Sequence, residues 1–123
     1  MAWGAIRFAH GRGAREVTML RIHDVMLDAI TTMRPMVRAI ERRDRDLASQ
    51  LRRAASSVVL NLAEGSGSFG GVRTQRYRTA LGSARETMAC LLVAERFGYT
   101  GAVPETLRAA MNQVVGTLVR VAA

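Results

Sequence analysis

Lysine is absent from this chain of 123 residues, so all 18 of its cationic side chains are arginines. Only six residues are aromatic, and a hydrophobic core therefore has to consist of aliphatic residues, methionine and alanine. Cysteine occurs once, at Cys90, which excludes an internal disulfide. No apolar run approaches the ~20 residues that a membrane-spanning helix needs. These absences lead us to expect a reduced, cytoplasmic location and no membrane partner.

The net charge of +8 is not balanced within the chain, since ten acidic residues oppose the 18 arginines. A GC-rich genome would explain the choice of arginine over lysine, but it would leave the excess of positive charge unexplained. Guanidinium groups bind phosphate and carboxylate groups in a bidentate geometry. The composition therefore predicts that the partner is RNA or another polyanion, such as an acidic protein surface.

Apolar residues recur at spacings of three and four along four segments, which is typical of helices with one buried face. The predicted helices cover Thr18–Arg43, Asp46–Glu64, Val72–Phe97 and a fourth segment that starts at Pro104. Their lengths and the short turns between them predict an all-α fold, an antiparallel up-down-up-down four-helix bundle. Residues 17–123 form this bundle domain, and residues 1–16 form a basic N-terminal tail that we expect to be flexible.

Individual residues are expected to shape the ends of these helices. Asp44 or Asp46 is placed to cap the second helix, and the glycines that follow it are placed to break the chain, namely Gly65, Gly67, Gly70 and Gly71. Gly98 is expected to end the third helix. Pro35 predicts a kink or a break in the first helix, because proline lacks an N–H group and clashes with the preceding turn.

Some apolar residues do not fit a single buried face. The predicted inward face of the third helix consists of Tyr77, Leu81, Ala84, Met88 and Leu91. The apolar residues that fall outside the predicted faces are Val59, Val93, Ala94, Val115 and Val119. A monomeric bundle does not need a second apolar face, so these residues predict that the chain binds copies of itself.

Arginines cluster on the second and third helices and on the turn before them. The candidate nucleic-acid-binding residues are Arg42, Arg45, Arg52, Arg53, Arg73, Arg76 and Arg78, with Arg43 and Arg85 nearby. Neighbouring residues on a helix diverge by about 100° in direction, so Arg52 and Arg53 do not point wholly the same way, and one of the two is free to meet an acid of the bundle or of a neighbouring subunit. The alternative interpretation is a solvated face whose arginines pair with local acids.

Asn61 and Glu64 lie three residues apart at the end of the second helix, next to Gly65. A carboxylate at this end of a helix is disfavoured by the helix dipole, so Glu64 needs a donor from the third helix or from the glycine-rich turn. We expect a structural motif here rather than a catalytic one, because no second acid, nucleophile or metal ligand accompanies it. The sequence indicates no catalytic residue, no metal site and no cofactor, and we expect no enzyme activity.

Four short stretches resemble one family of bacterial four-helix-bundle proteins, which is named for the intervening sequences of 23S ribosomal RNA genes. The stretches are Q-L-R-R-A at 50–54, N-L-A-E-G at 61–65, R-Y-R-T-A-L-G-S at 76–83 and G-Y at 98–99. They fall within residues 47–100, and their combination is specific although each alone would be weak. The Phe-Pro turn that usually precedes the second helix in this family is missing here.

The resemblance implies a cytoplasmic bundle that assembles into a ring, typically a pentamer. The family is similar in fold to the accessory variability determinant protein of diversity-generating retroelements, a basic barrel that binds nucleic acid and a reverse transcriptase. The first hypothesis is therefore a non-catalytic, pentameric, ring-like bundle that binds RNA through its arginines, as an accessory factor with a reverse transcriptase among its candidate partners. The alternative is a protein-interaction scaffold whose arginines pair with acids at subunit or partner interfaces.

Overall fold

The computed structural model describes residues 13–122, which form four α-helices joined by short turns. The helices are α1 (Ala14–Arg43), α2 (Arg45–Ser66), α3 (Gly70–Arg96) and α4 (Glu105–Ala122). No strand occurs among the described residues, and the predicted all-α bundle is confirmed. None of these helices is long and apolar enough to cross a membrane.

Contacts between neighbouring helices show that they run in opposite directions. The cross-helix pairs between α2 and α3 are Gln50–Glu86, Ser57–Ser83 and Glu64–Arg76, and those between α3 and α4 are Glu95–Arg108 and Arg78–Ala122. In both sets the residue numbers rise on one helix as they fall on the other. The guanidinium of Arg15 donates to the Val121 carbonyl oxygen (2.7 Å), which places the start of α1 beside the end of α4. Each helix thus packs against two others, in the cyclic order α1–α2–α3–α4.

Aliphatic side chains, methionines and alanines fill the space between the four helices, as the composition predicts. Tyr77 is the one aromatic residue among the buried hydrophobic residues of the described part of the chain. The buried face of α3 differs from the predicted one and consists of Tyr77, Ala80, Ala84, Thr87, Cys90, Leu91 and Ala94. Because small side chains let α3 lie close to its neighbours, Leu81 and Met88 are left partly buried at the edge of the core.

Of the kink or break predicted at Pro35, the structure excludes the break, because α1 continues through this residue to Arg43. Asp44 alone connects α1 to α2, and its carboxylate accepts a hydrogen bond from the Leu47 backbone N–H (2.9 Å). This capping contact satisfies one of the free N–H groups at the start of α2. Asp44 therefore fills the predicted capping role, and Asp46 lies inside the first turn of the helix.

The second helix runs two residues past its predicted end at Glu64, so Gly65 lies inside α2, and Gly67, another of the glycines predicted to break the chain, is its C-cap residue. Gly98 has the predicted role, because its positive φ of 76° follows the end of α3. The backbone N–H groups of Gly98 and Tyr99 donate to the carbonyl oxygens of Glu95 and Ala94 (3.0 and 2.9 Å). This pair of hydrogen bonds is a Schellman motif, in which glycine takes the left-handed conformation at little cost.

The first helix starts four residues before its predicted start, at Ala14 rather than Thr18. Residues 14–16, which the sequence assigned to the N-terminal tail, are helical, and Glu16 is buried. Residues 1–12 of the predicted tail lie outside the described residues.

Candidate functional site

The outer surface of α2 and α3 carries a groove of about 430 Å³, which we call the arginine groove. Its lining residues are Arg52, Arg53, Ser56, Ser57, Leu60, Asn61 and Glu64 of α2 and Arg76 of α3. From residue 52 to residue 64 it extends ~18 Å along the helix, at 1.5 Å per residue. Three of the predicted nucleic-acid-binding arginines and two residues of the predicted structural motif therefore share one surface.

The three groove arginines are only lightly engaged. Arg76 Nη1 lies 3.0 Å from Glu64 Oε2, with the two side chains 47% and 55% exposed. Arg52 Nη1 lies 3.1 Å from Glu41 Oε2, and both of these side chains are half exposed. Arg53 donates to the Ser49 hydroxyl (2.7 Å). Ion pairs this exposed contribute only about 0–1 kcal/mol to stability, so an incoming phosphate can compete for these guanidinium groups.

Glu64 has the donor that its position at the end of α2 requires. The sequence predicted either an arginine of the third helix or a backbone N–H of the turn, and the structure places Arg76 there. The Arg76 guanidinium offsets the unfavourable interaction between the Glu64 carboxylate and the negative end of the helix dipole.

Asn61 is one of the residues that line the groove, and it is about nine-tenths buried. Its amide nitrogen donates to the Ser57 carbonyl oxygen (2.9 Å) and to the Ser57 hydroxyl (3.1 Å). A carbonyl oxygen can only accept, so this contact fixes which end of the amide faces Ser57. Asn61 Oδ1 is buried and has no hydrogen-bond partner within the described chain.

Close packing of α2 against α3 holds the groove in shape. Gly65 faces the ring of Tyr77, and a Cβ at position 65 would clash with that ring, coming within 2.7 Å of Cδ1. Farther along the same contact the Ser83 hydroxyl donates to the Ser57 hydroxyl (2.7 Å). Gly65 thus belongs to the predicted structural motif because it makes room for Tyr77, and not because it terminates a helix.

A second groove, of about 370 Å³, runs between α1 and α2 and adjoins the arginine groove at Arg52 and Ser56. We call it the α1–α2 groove. Its lining residues are Ile30, Met33, Arg34, Val37, Arg38, Arg52, Ala55 and Ser56. Sequence reasoning missed Arg34 and Arg38 because it considered only the second and third helices and the turn before them. Their spacing of four residues, which places both on one face of α1, was the available signal.

The other predicted arginines do not line the arginine groove. Arg73 faces inward, where it pairs with Glu16 (3.2 Å) and donates to the Ser68 carbonyl oxygen (2.9 Å). Arg78 donates to the Ala122 carbonyl oxygen at the end of α4 (3.1 Å). Arg42 and Arg45 are exposed around the α1–α2 turn. Among the nearby arginines, Arg43 lies over the ring of Tyr99, 5.7 Å from its centroid, and Arg85 is exposed on α3.

No group of three or more His, Cys, Asp or Glu residues among the described residues could hold a metal ion. Cys90 is a free, buried thiol, and burial raises its pKa, with a further contribution from the negative charge of Glu86. A raised pKa keeps the sulfur protonated and makes it a poor nucleophile at neutral pH.

The model of one protein family, described as 23S rRNA-intervening sequence protein, matches residues 25–119. The chain belongs to this family. The match extends from the middle of α1 almost to the end of α4 and includes every residue of both grooves, whereas the sequence motifs covered only residues 47–100. No match to the chain was found among curated proteins or among solved structures.

Proposed function

We propose that this member of the 23S rRNA-intervening sequence protein family is a non-catalytic, homo-oligomeric bundle that binds RNA through the arginine groove. The observation that carries the proposal is the convergence of Arg52, Arg53 and Arg76 on one surface groove. Arg34 and Arg38 extend the same positive surface across the α1–α2 groove. Guanidinium groups spaced along a groove suit the phosphates of a nucleic acid strand, with which they form charge-assisted hydrogen bonds.

Self-association is the second part of the proposal, with a ring of five copies in the cytoplasm as the assembly that the family resemblance implies. Val93 is 41% exposed and Val119 is 42% exposed. Of the off-face residues predicted from the sequence, Ala94 is in fact buried, and Val59 and Val115 are partly buried. The exposed ones leave apolar surface that contact with another copy would remove from water.

Filter binding of the wild-type protein to single-stranded RNA over a range of salt concentrations tests the RNA-binding part. We expect measurable affinity at low salt and a linear fall of log K with log salt concentration, with a slope of about −0.7 for each phosphate neutralised. An absence of affinity at low salt, or an affinity that does not change with salt, would contradict the proposal.

A second candidate function is a protein-interaction scaffold whose arginines pair with acids of another subunit or of a partner protein, such as a reverse transcriptase. The observation that favours it is the apolar lining of the α1–α2 groove, which is rimmed by Arg34, Arg38 and Arg52. Light scattering on the Arg52→Ala variant discriminates between the two functions. Loss of assembly with unchanged RNA affinity would favour the scaffold, and retained assembly with weaker RNA binding would favour the RNA-binding function.

A further inference from the structure

The unpartnered oxygen of Asn61 is the one polar atom of the arginine groove that the fold buries without a hydrogen bond, among the described residues. Leaving a buried acceptor unpaired costs about 1–3 kcal/mol. The other end of the same amide is fully used, since its nitrogen already donates to Ser57. The Asn61 amide therefore offers a single acceptor, which the two hydrogen bonds of its nitrogen hold in place.

We propose that Asn61 Oδ1 reads a base of bound RNA by accepting a hydrogen bond from an exocyclic amino group. This inference rests on the proposed RNA-binding function and adds base selectivity to it. Arg52 and Arg53 hold phosphates at one end of the groove, and Leu60, which is 61% exposed, offers an apolar surface for the base. Because Asn61 Oδ1 is closed to solvent in the free protein, the proposal requires side chains along the groove to rotate before a base reaches it, and the ion pairs that hold the exposed ones are weak.

The pattern of donors and acceptors on the bases sets the expected selectivity. Cytosine carries an amino group, a hydrogen-bond donor, at the ring position where uracil carries a carbonyl oxygen. Uracil would therefore bring an acceptor against the acceptor of Asn61, whereas cytosine supplies the missing donor. Bases of single-stranded RNA expose these edges to a protein, so the groove suits a single strand rather than a duplex.

Fluorescence anisotropy with labelled oligocytidine and oligouridine of equal length tests this inference. The two pyrimidine strands differ at the base edge and have the same phosphates. We expect the wild-type protein to bind oligocytidine about two- to tenfold more tightly, which corresponds to one net hydrogen bond. In the Asn61→Ala variant the two affinities should become equal, while oligouridine affinity and the salt slope stay at their wild-type values.

The matched control is Asn112→Ala, which removes an exposed asparagine from α4, far from the groove lining. This variant should keep the wild-type preference for cytidine. Folding of Asn61→Ala is checked by urea denaturation, where we expect little loss of stability because the change removes the unpaired oxygen together with the two amide hydrogen bonds.

The possible outcomes separate this inference from the function on which it rests. Equal, salt-dependent binding of both strands by the wild-type protein would overturn base reading by Asn61 and leave RNA binding intact. A cytidine preference that persists in Asn61→Ala would also overturn it. Failure to bind either strand at low salt would overturn both the inference and the proposed function.

Discussion

At the scale of single residues, the contact between Gly65 and Tyr77 sets how closely α2 and α3 approach at the end of the arginine groove. Tyr77 is almost fully buried, and its ring occupies the space that a side chain at position 65 would need. Glu64 directly precedes Gly65 in α2, and Arg76 directly precedes Tyr77 in α3. The same packing therefore also positions the ion pair between Glu64 and Arg76. The lack of a side chain at position 65 thus allows the close packing that shapes this end of the arginine groove.

Replacement of Gly65 by alanine should destabilise the protein by about 1–3 kcal/mol, the usual cost of an added methyl group in a packed core. Without the clash, alanine would stabilise the helix by roughly 1 kcal/mol relative to glycine. A net decrease in the free energy of unfolding would therefore be due to the clash with Tyr77. Urea denaturation measures the effect. The control is Gly82→Ala in α3, where a Cβ meets no atom within 4 Å and stability should rise by about 0.5–1 kcal/mol. Equal stabilisation by both substitutions would contradict the packing argument.

The direction of the pKa shift of Cys90 predicts how fast its thiol reacts. Burial, and then the charge of Glu86, raise the pKa of the thiol, so less thiolate is present at any pH near neutrality than in an exposed cysteine. Alkylation by iodoacetamide at pH 8 should therefore be slow in the folded protein and should reach the rate of a free thiol in denaturant. Glu86→Gln should speed the folded-state reaction only slightly, since burial is the larger cause. Rapid modification of the native protein would contradict this account.

At the scale of elements, the start of α3 shows how closely spaced arginines acquire different roles. Arg73 turns toward Glu16 at the start of α1, Arg76 toward Glu64 at the end of α2, and Arg78 toward the end of α4. Each residue rotates the side-chain direction by about 100° around the helix, so these three positions face different neighbours. Only Arg76 is left at the groove, and the other two join the ends of the bundle.

Removal of Arg73 should destabilise the fold, since Glu16 would keep its buried carboxylate without a cation. The two side chains are 24% and 12% exposed, so the cost is smaller than the 3–5 kcal/mol of a fully buried pair, and we expect about 2 kcal/mol for Arg73→Ala. Thermal or urea denaturation measures it. Arg85→Ala removes an exposed arginine from the same helix and should change stability by less than about 0.5 kcal/mol. A similar small effect for Arg73→Ala would show that the Glu16 pair is not structural.

The periodic apolar pattern was sufficient to predict four helices and their order, because burial of one face requires a 3.6-residue repeat. The site was less predictable. Arg73 and Arg76 look alike in the sequence, and only the positions of α1 and α2 show that one faces inward and the other faces the groove. The helix does not break at Pro35 for a related reason: tertiary packing can keep a helix continuous where the local preference is to break it.

At the scale of the whole molecule, the arginines that carry the positive charge have two different structural roles. Part of it joins the helix ends, through Arg73 and Arg78, and part rims the two adjoining grooves. Long-range attraction of a polyanion depends on the total charge, whereas the site of phosphate contact depends on which guanidinium groups remain available. We therefore expect equal losses of charge in different places to have unequal effects on RNA binding.

The most direct test compares two double variants that each remove two positive charges. The first double variant, Arg52→Ala with Arg53→Ala, removes both arginines from one end of the arginine groove. The second, Arg42→Ala with Arg45→Ala, removes two exposed arginines outside the groove. The salt dependence of RNA affinity is measured for both. We predict that the groove variant loses about tenfold or more in affinity and that its slope becomes shallower by about 0.7 per lost contact, while the other variant stays near wild type. Equal losses in the two variants would contradict the assignment of RNA binding to the arginine groove.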